Sequence, residues 1–318
     1  MMRKLVQHAL SMVAVLVLLA VTAFPALQAA EPTADELAKD PTLFLDSARK
    51  KLHWDEPTEP AHLVGPIYQV GTKGLAVFLI TTPEGHILLN TGMPGSGPLI
   101  EKSIRKLGLK PEEIKLLLTA HAHVDHVGGH AYLQKLSGAK VAVIRQEKEL
   151  LESGGKTDFH YAGVKLFEFD PVKVDQVFED GETIRLGNVA LLGLLTGGHT
   201  RGSTSFVMKV TGNGKEWTVL FPNGTSVNPG YRLVKNPSYP GIREDYQRTL
   251  RVLEAQQPDI WLMPHNEAFG YEGKLARSKT SGAEAWVDPD GYRQWVVAQR
   301  QRFDAAIALE SGADRPKK

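Results

Sequence analysis

The chain has 318 residues, a formal net charge of +1 and no cysteine. That near-neutral balance argues against nucleic acid as a partner, and the lack of cysteine excludes disulfide staples, thiolate catalysis and thiolate metal ligands. At 42% hydrophobic residues it can bury the core of one large α/β unit, and it carries no internal repeat or low-complexity stretch.

Residues 1–30 have the pattern of an export signal peptide. Arg3 and Lys4 come first, a nearly unbroken apolar run follows from Ala9 to Phe24, and small Ala29 and Ala30 offer a cleavage site. The run is short for a membrane span and no basic stop follows it. We therefore expect cleavage and a periplasmic mature chain with no stable membrane anchor. Loss of Arg3 and Lys4 leaves 35 basic against 36 acidic residues, a net charge of −1. Residues 31–318 should then form a single domain with its core at about 63–270 and a helix at the C-terminus. Thr33-Ala34-Asp35-Glu36 is a capping-box pattern for a short helix that Pro41 would end. A second helix is expected over 43–51, and Trp54 to His62 reads as an extended connector.

Strands are expected over Val64–Val70, Leu75–Thr81 and His86–Asn90, with Pro83-Glu84-Gly85 as a hairpin turn. Pro98–Leu107 reads as an amphipathic helix stopped by Gly108. The apolar run Ile114–Leu118 reads as a buried strand, and it delivers His121-Ala122-His123-Val124-Asp125-His126-Val127-Gly128-Gly129. In extended chain His121, His123 and Asp125 would point to one side and His126 to the other. One ion rarely takes four ligands from six consecutive residues, whereas two neighbouring ions can share them. The stretch thus reads as a binuclear site, and imidazole with carboxylate suits zinc. Gly128 and Gly129 would let the backbone turn tightly.

Further on, Lys140–Ile144 reads as a strand and Gln146–Leu151 as a helix. Ser153 to Tyr161 has no period and reads as a mobile loop. Strands are expected over Val174–Phe178, Thr183–Leu186, Val189–Leu195, Thr204–Val210 and Glu216–Phe221, with Gly197-Gly198-His199 between the third and fourth. A helix over Arg243–Gln256 leads to a strand over Asp259–Met263 that ends in Pro264-His265. The last helix is expected over Tyr292–Ile307, with a disordered charged tail after Ser311.

The H-x-H-x-D-H-x-G-G loop resembles that of the metallo-β-lactamase superfamily, and the resemblance runs from about Leu63 to Phe269. It implies an α/β fold, a four-layer αβ/βα sandwich with metals at one edge of two facing sheets. It assigns His121, His123 and His199 to one zinc ion and Asp125, His126 and His265 to a second, so two Zn2+ per chain. A hydroxide held between the ions would attack the substrate, with Asp125 orienting it as a catalytic residue. His53, His62, His86 and His130 match no ligand position, and Asn90 stands where much of the superfamily has aspartate. Thioesterases, lactonases and RNA-processing nucleases of the superfamily carry a bridging aspartate on the strand after His199, and two β-lactamase subclasses carry cysteine there. This chain has Thr225. That combination is most like subclass B3 of the metallo-β-lactamases, as are the segments 71–75, 227–233 and 236–240. The resemblance implies hydrolysis of the β-lactam amide bond of a small-molecule substrate, with Thr225 and Ser226 near the substrate carboxylate. It also places the 153–161 loop beside the groove, with Phe159, His160 and Tyr161 as candidate contacts. The alternative in the same chemistry is a lactonase or glyoxalase-II-like thioester hydrolase. The alternative of another class is a non-catalytic binding module, against which the presence of all six ligand residues counts.

Overall fold

Two mixed sheets face each other, and the parity of their strand residues explains why. The structure, a computed structural model, describes residues 31–212 and 214–312, so the expected leader and charged tail lie outside the described residues. The described residues from Thr33 onward form one compact unit. The first sheet runs β1 (Ala61–Val64), β2 (Ile67–Gln69), β3 (Phe78–Thr82), β4 (Gly85–Leu89), β5 (Ile114–Leu118), β6 (Lys140–Ile144) and β7 (Gln176–Phe178), in that order. It is antiparallel from β1 to β4 and parallel from β4 to β7. The second runs β12 (Ile260–Trp261), β11 (Lys215–Phe221), β10 (Thr204–Gly212), β9 (Val189–Leu195) and β8 (Thr183–Leu186), with only β11 and β12 parallel.

On β3 to β6, Phe78, Ile80, Ile87, Leu89, Leu116, Leu118, Ala142 and Ile144 point into the core between the sheets, where they meet Phe206, Met208, Val219 and Phe221. The alternate residues Leu79, Leu88, Leu117, Val141 and Val143 point to the outer layer of helices. A strand covered on both faces reads as a continuous apolar run, which is why 114–118 shows no alternation. The helices are α1 (Ala34–Lys39), α2 (Pro41–Lys51), α3 (Ser96–Lys106), α4 (Val124–Val127), α5 (His130–Ser137), α6 (Lys148–Glu152), α7 (Ile242–Glu254), α8 (Tyr271–Ser281) and α9 (Pro289–Ser311). Ile100 and Ile104 of α3 and Leu133 of α5 cover the first sheet's outer side, while α7 makes the crossover between the parallel strands β11 and β12 of the second sheet. This is the expected α/β sandwich.

Several local expectations change. The capping box at Thr33 and Glu36 forms, but Pro41 begins α2 as well as ending α1, because Asp40 accepts from the amides of Thr42 and Leu43. The strand expected from Val64 breaks at Gly65-Pro66, where the chain turns into β2. The strand expected from Leu75 begins at Phe78, because Leu75 instead bridges His265 and the Ala76 amide bonds to the Pro264 carbonyl at 2.8 Å. That detour fixes where His265 stands.

Candidate metal centre

The strand ends converge on one edge of the sandwich. β5 delivers His121, and Thr119 Oγ1 donates to the His121 carbonyl at 2.7 Å. The Ala120 amide is held at 2.9 Å by Asn90 Oδ1, just beyond β4. Asn90 sits at φ 66, a left-handed conformation that asparagine tolerates better than most side chains. Its amide oxygen thus fills the supporting role expected of an aspartate. The stretch after His123 is not extended as the spacing suggested. His123 caps a single helical turn, α4, which carries both Asp125 and His126. Gly128 and Gly129 have ordinary negative φ values. They are glycine for space: a Cβ on Gly128 would lie 2.1 Å from the Pro94 nitrogen, and one on Gly129 would lie 2.6 Å from the Thr91 carbonyl.

His121 is at the centre. Its ring centroid is 4.8 Å from that of His123, 4.5 Å from His199 and 4.1 Å from His126. His123 and His199 are 4.6 Å apart. His265 reaches the cluster from beyond β12, its ring 5.1 Å from His126 and its Nε2 3.6 Å from Asp125 Oδ2. All six residues expected as ligands are therefore brought together. Two groupings bring their ligand atoms within 4.8 Å of one another, His121 with His123 and His199, and His121 with Asp125 and His126. The first is the expected trio. The second contains His121 in place of His265, which touches it through Asp125.

The residues fit a divalent cation. Both ring nitrogens of His121, Nε2 of His126 and Nδ1 of His265 are buried without a hydrogen bond. His126 Nε2 lies 3.0 Å from Asp125 Oδ2 but is not aligned to bond it. Buried orphaned nitrogens are costly unless a ligand completes them. Burial and the neighbouring imidazoles push His121 well below the usual histidine range. Burial, then His123, lowers His199 to about 3, and burial, then His126, lowers His265 to about 4. These rings are neutral at pH 7, the form that binds metal. Burial opposes ionisation of Asp125, yet the adjoining His126 and His265 hold its carboxyl well below its ordinary value.

Supporting contacts fix which nitrogens face the site. His199 Nδ1 donates to the Ser226 carbonyl at 2.8 Å, leaving Nε2 free, and that carbonyl also accepts from Tyr246 Oη at 2.6 Å. His123 Nε2 is 3.2 Å from Asp158 Oδ2, leaving Nδ1. Burial works against charge on His123, but Asp158 outweighs it and the pKa is raised. Asp158 lies in the stretch read as a mobile loop. The stretch is instead anchored: Asp158 Oδ1 accepts the His160 and Tyr161 amides, both at 2.7 Å, and buried Tyr161 stacks on Phe167. Phe159 packs on Tyr231 and Tyr239. Phe159, His160 and Tyr161 do not line the pocket; Phe167 does.

The pocket is a cavity of about 220 Å³. His121, His123, Asp125, His199 and His265 form its floor, and Thr225, Ser226 and Asn228 one side. Phe44, Leu45, Ala48 and Leu52, on or just after α2, with Trp54 make an apolar wall, so the connector's first residue and the helix before it roof the site. Trp54 stands 5.2 Å from the His265 ring. No lysine or arginine is among the described residues lining it.

Among the histidines outside the centre, His130 is fully buried and is more than a filler. Thr91 Oγ1 donates to the His126 carbonyl at 3.3 Å and accepts from His130 Nδ1 at 2.7 Å. His130→Ala is expected to cost about 2–4 kcal/mol of stability by opening a cavity and freeing Thr91, measured by chemical denaturation. Burial lowers the His130 pKa to about 3. The unfolded chain takes up a proton near pH 6.5 that the native ring refuses. The stability held by the neutral ring is thus present above pH 6.5 and is lost as pH falls toward 3, and the variant's acid limb should be shallower.

The metallo-β-lactamase superfamily model matches residues 71–212. Native FEZ-1 metallo-β-lactamase from Legionella gormanii is 38% identical, with a TM-score of 0.79 over 80% of this chain and 98% of that one. BJP-1, a subclass B3 metallo-β-lactamase of Bradyrhizobium japonicum, is 36% identical, with a TM-score of 0.78 over 84% of this chain and all of that one. A metal-dependent hydrolase of Listeria welshimeri is 36% identical over 135 residues, 41% of this chain and 56% of that relative. The chain belongs to the metallo-β-lactamase superfamily. Among its subclasses it is most like B3.

Proposed function

We propose that this protein is a periplasmic hydrolase that binds two zinc ions and opens the β-lactam ring. His121, His123 and His199 would hold one ion, and Asp125, His126 and His265 the other. Bound zinc supplies Lewis acidity, lowering the pKa of a water to about 7 and polarising a carbonyl. Ring opening adds the water oxygen to the carbonyl carbon, breaks the C–N bond and leaves the proton on nitrogen. Asp125, kept ionised, would accept a hydrogen bond from the attacking water. The apolar wall of Phe44, Leu45, Leu52 and Trp54 would pack the substrate scaffold and exclude water. Thr225 and Ser226 hydroxyls and the Asn228 amide offer donors to a substrate carboxylate.

The observation that carries this reading is Thr225. It is buried in the pocket wall, where a bridging carboxylate would make a lactonase or thioesterase. A neutral side chain leaves the centre more positive than a bridging carboxylate would, and with no lysine or arginine among the described lining residues the metal charge would be what draws the substrate's anion. That suits a substrate with its own carboxylate and a leaving nitrogen that develops negative charge. The test is to assay zinc-loaded protein in parallel on a carbapenem, a cephalosporin, an acyl-homoserine lactone and a lactoyl thioester. We expect kcat/KM for the better β-lactam to exceed both esters by about 10²-fold or more. A lead for either ester, with the β-lactams near background, would overturn the β-lactam assignment.

A further inference from the structure

The three imidazoles of the first group come from two sheets. His121 and His123 follow β5 of the seven-stranded sheet, whereas His199 sits in the turn between β9 and β10 of the other. Their ring centroids lie 4.5–4.8 Å apart. One direct backbone link joins the segments, from the Thr204 amide to the Ala120 carbonyl at 2.7 Å. A second link passes through a side chain that belongs to neither. Glu147, in the turn after β6, is 1% exposed. Its Oε1 accepts from the Ala122 amide, between His121 and His123, at 2.5 Å. Its Oε2 accepts from the Thr200 hydroxyl at 2.9 Å and the Gly202 amide at 2.8 Å, just after His199.

Two further observations set this carboxylate apart from ordinary core filling. It has no lysine, arginine or histidine ion-pair partner among the described residues, and a buried carboxylate without a cation is costly unless its oxygens are fully used. Here each oxygen serves one of the two ligand segments. Gly202 also makes room for it: a Cβ there would lie 2.4 Å from the Glu147 amide nitrogen and 2.6 Å from Oε2. Gly202 is not among the positive-φ glycines, so space and not backbone conformation calls for glycine.

We propose that Glu147 is a positioning residue: one carboxylate, shared between the two ligand segments, sets the His121–His123 pair against His199 so that three imidazoles present one metal-binding face. It does not line the pocket. The proposal rests on the trio binding metal and not on which bond the enzyme cleaves.

The test reads metal binding, with cobalt(II) and zinc as probes and a competing chelator, on the full-length mature chain. Glu147→Gln puts an amide NH2 where one set of donors needs an acceptor, so it can hold only one segment. Glu147→Asp keeps the carboxyl group but is one methylene too short to reach both. Both variants are expected to bind the first metal equivalent about 10- to 100-fold more weakly and to shift the cobalt visible spectrum, the range found when partners of metal ligands are lost. Unchanged affinity and an unchanged spectrum in both, even with a lowered melting temperature, would make Glu147 a packing residue and overturn the proposal. If neither variant folds, Thr200→Val removes a single donor and is read the same way: weaker first-equivalent binding supports the clamp, and wild-type binding refutes it. Should the wild-type chain bind no metal at all, the metal reading itself fails, an outcome separate from any difference between the variants.

Discussion

Replacing His199 by alanine is expected to lower kcat/KM roughly 10³-fold or more, and Asp125→Ala by a comparable factor. The two losses should differ in kind. His199 contributes one imidazole of the trio around His121 and is fixed by the Ser226 carbonyl, so its removal should leave chiefly the first metal position weak. Asp125 is the one carboxylate among the six residues, packed against both His126 and His265. On the proposed reading its removal would take away the second group's negative ligand together with the acceptor for the attacking water. Zinc content per chain, measured beside the kinetics, separates the two. His86→Ala is the control, because His86 lies on β4 and does not line the pocket. It should change kcat/KM less than tenfold whatever it does to stability. Equal loss of turnover in all three variants would mean that the site residues are wrongly chosen.

How much of this was legible in the sequence depends on how local the cause is. Lys140–Ile144, Thr183–Leu186 and Val189–Leu195 form the strands expected, because alternation or a continuous apolar run fixes a strand from within. The convergence of the six candidate ligand residues was legible from dense spacing and from histidines at strand ends, helped by the family resemblance. α8 was not, since its buried residues are Tyr271 and Lys274 and it shows no apolar stripe. Its lysine is buried beside Asp288 and the Trp261 ring, partners that no local pattern reveals. The supports of the site were hidden for the same reason. Asp158 looks like a loop acid until His123, 35 residues earlier, is placed beside it. Glu147 looks like a surface residue of a short helix, and its acceptor role appears only when segments 25 and 55 residues away close on it. The helix over 43–51 was expected without a role, and only the closed fold turns Phe44, Leu45 and Ala48 toward the pocket.

The second large effect concerns the metal itself. Six candidate ligands, four imidazole nitrogens buried without a hydrogen bond and neutral rings at His121, His199 and His265 describe a site built for cations. Without them the described lining residues include no lysine or arginine to stabilise a hydroxide, so removal of metal should abolish turnover, by about 10³-fold or more. The decisive measurement is a zinc titration of chelator-treated protein, followed at once by ring opening of a cephalosporin and by zinc bound per chain. The account requires near-background turnover in the metal-free protein, recovery on adding zinc, and saturation of binding at two ions per chain. Full ring-opening activity in protein shown to hold no metal, or no ring opening at any zinc loading, would contradict it.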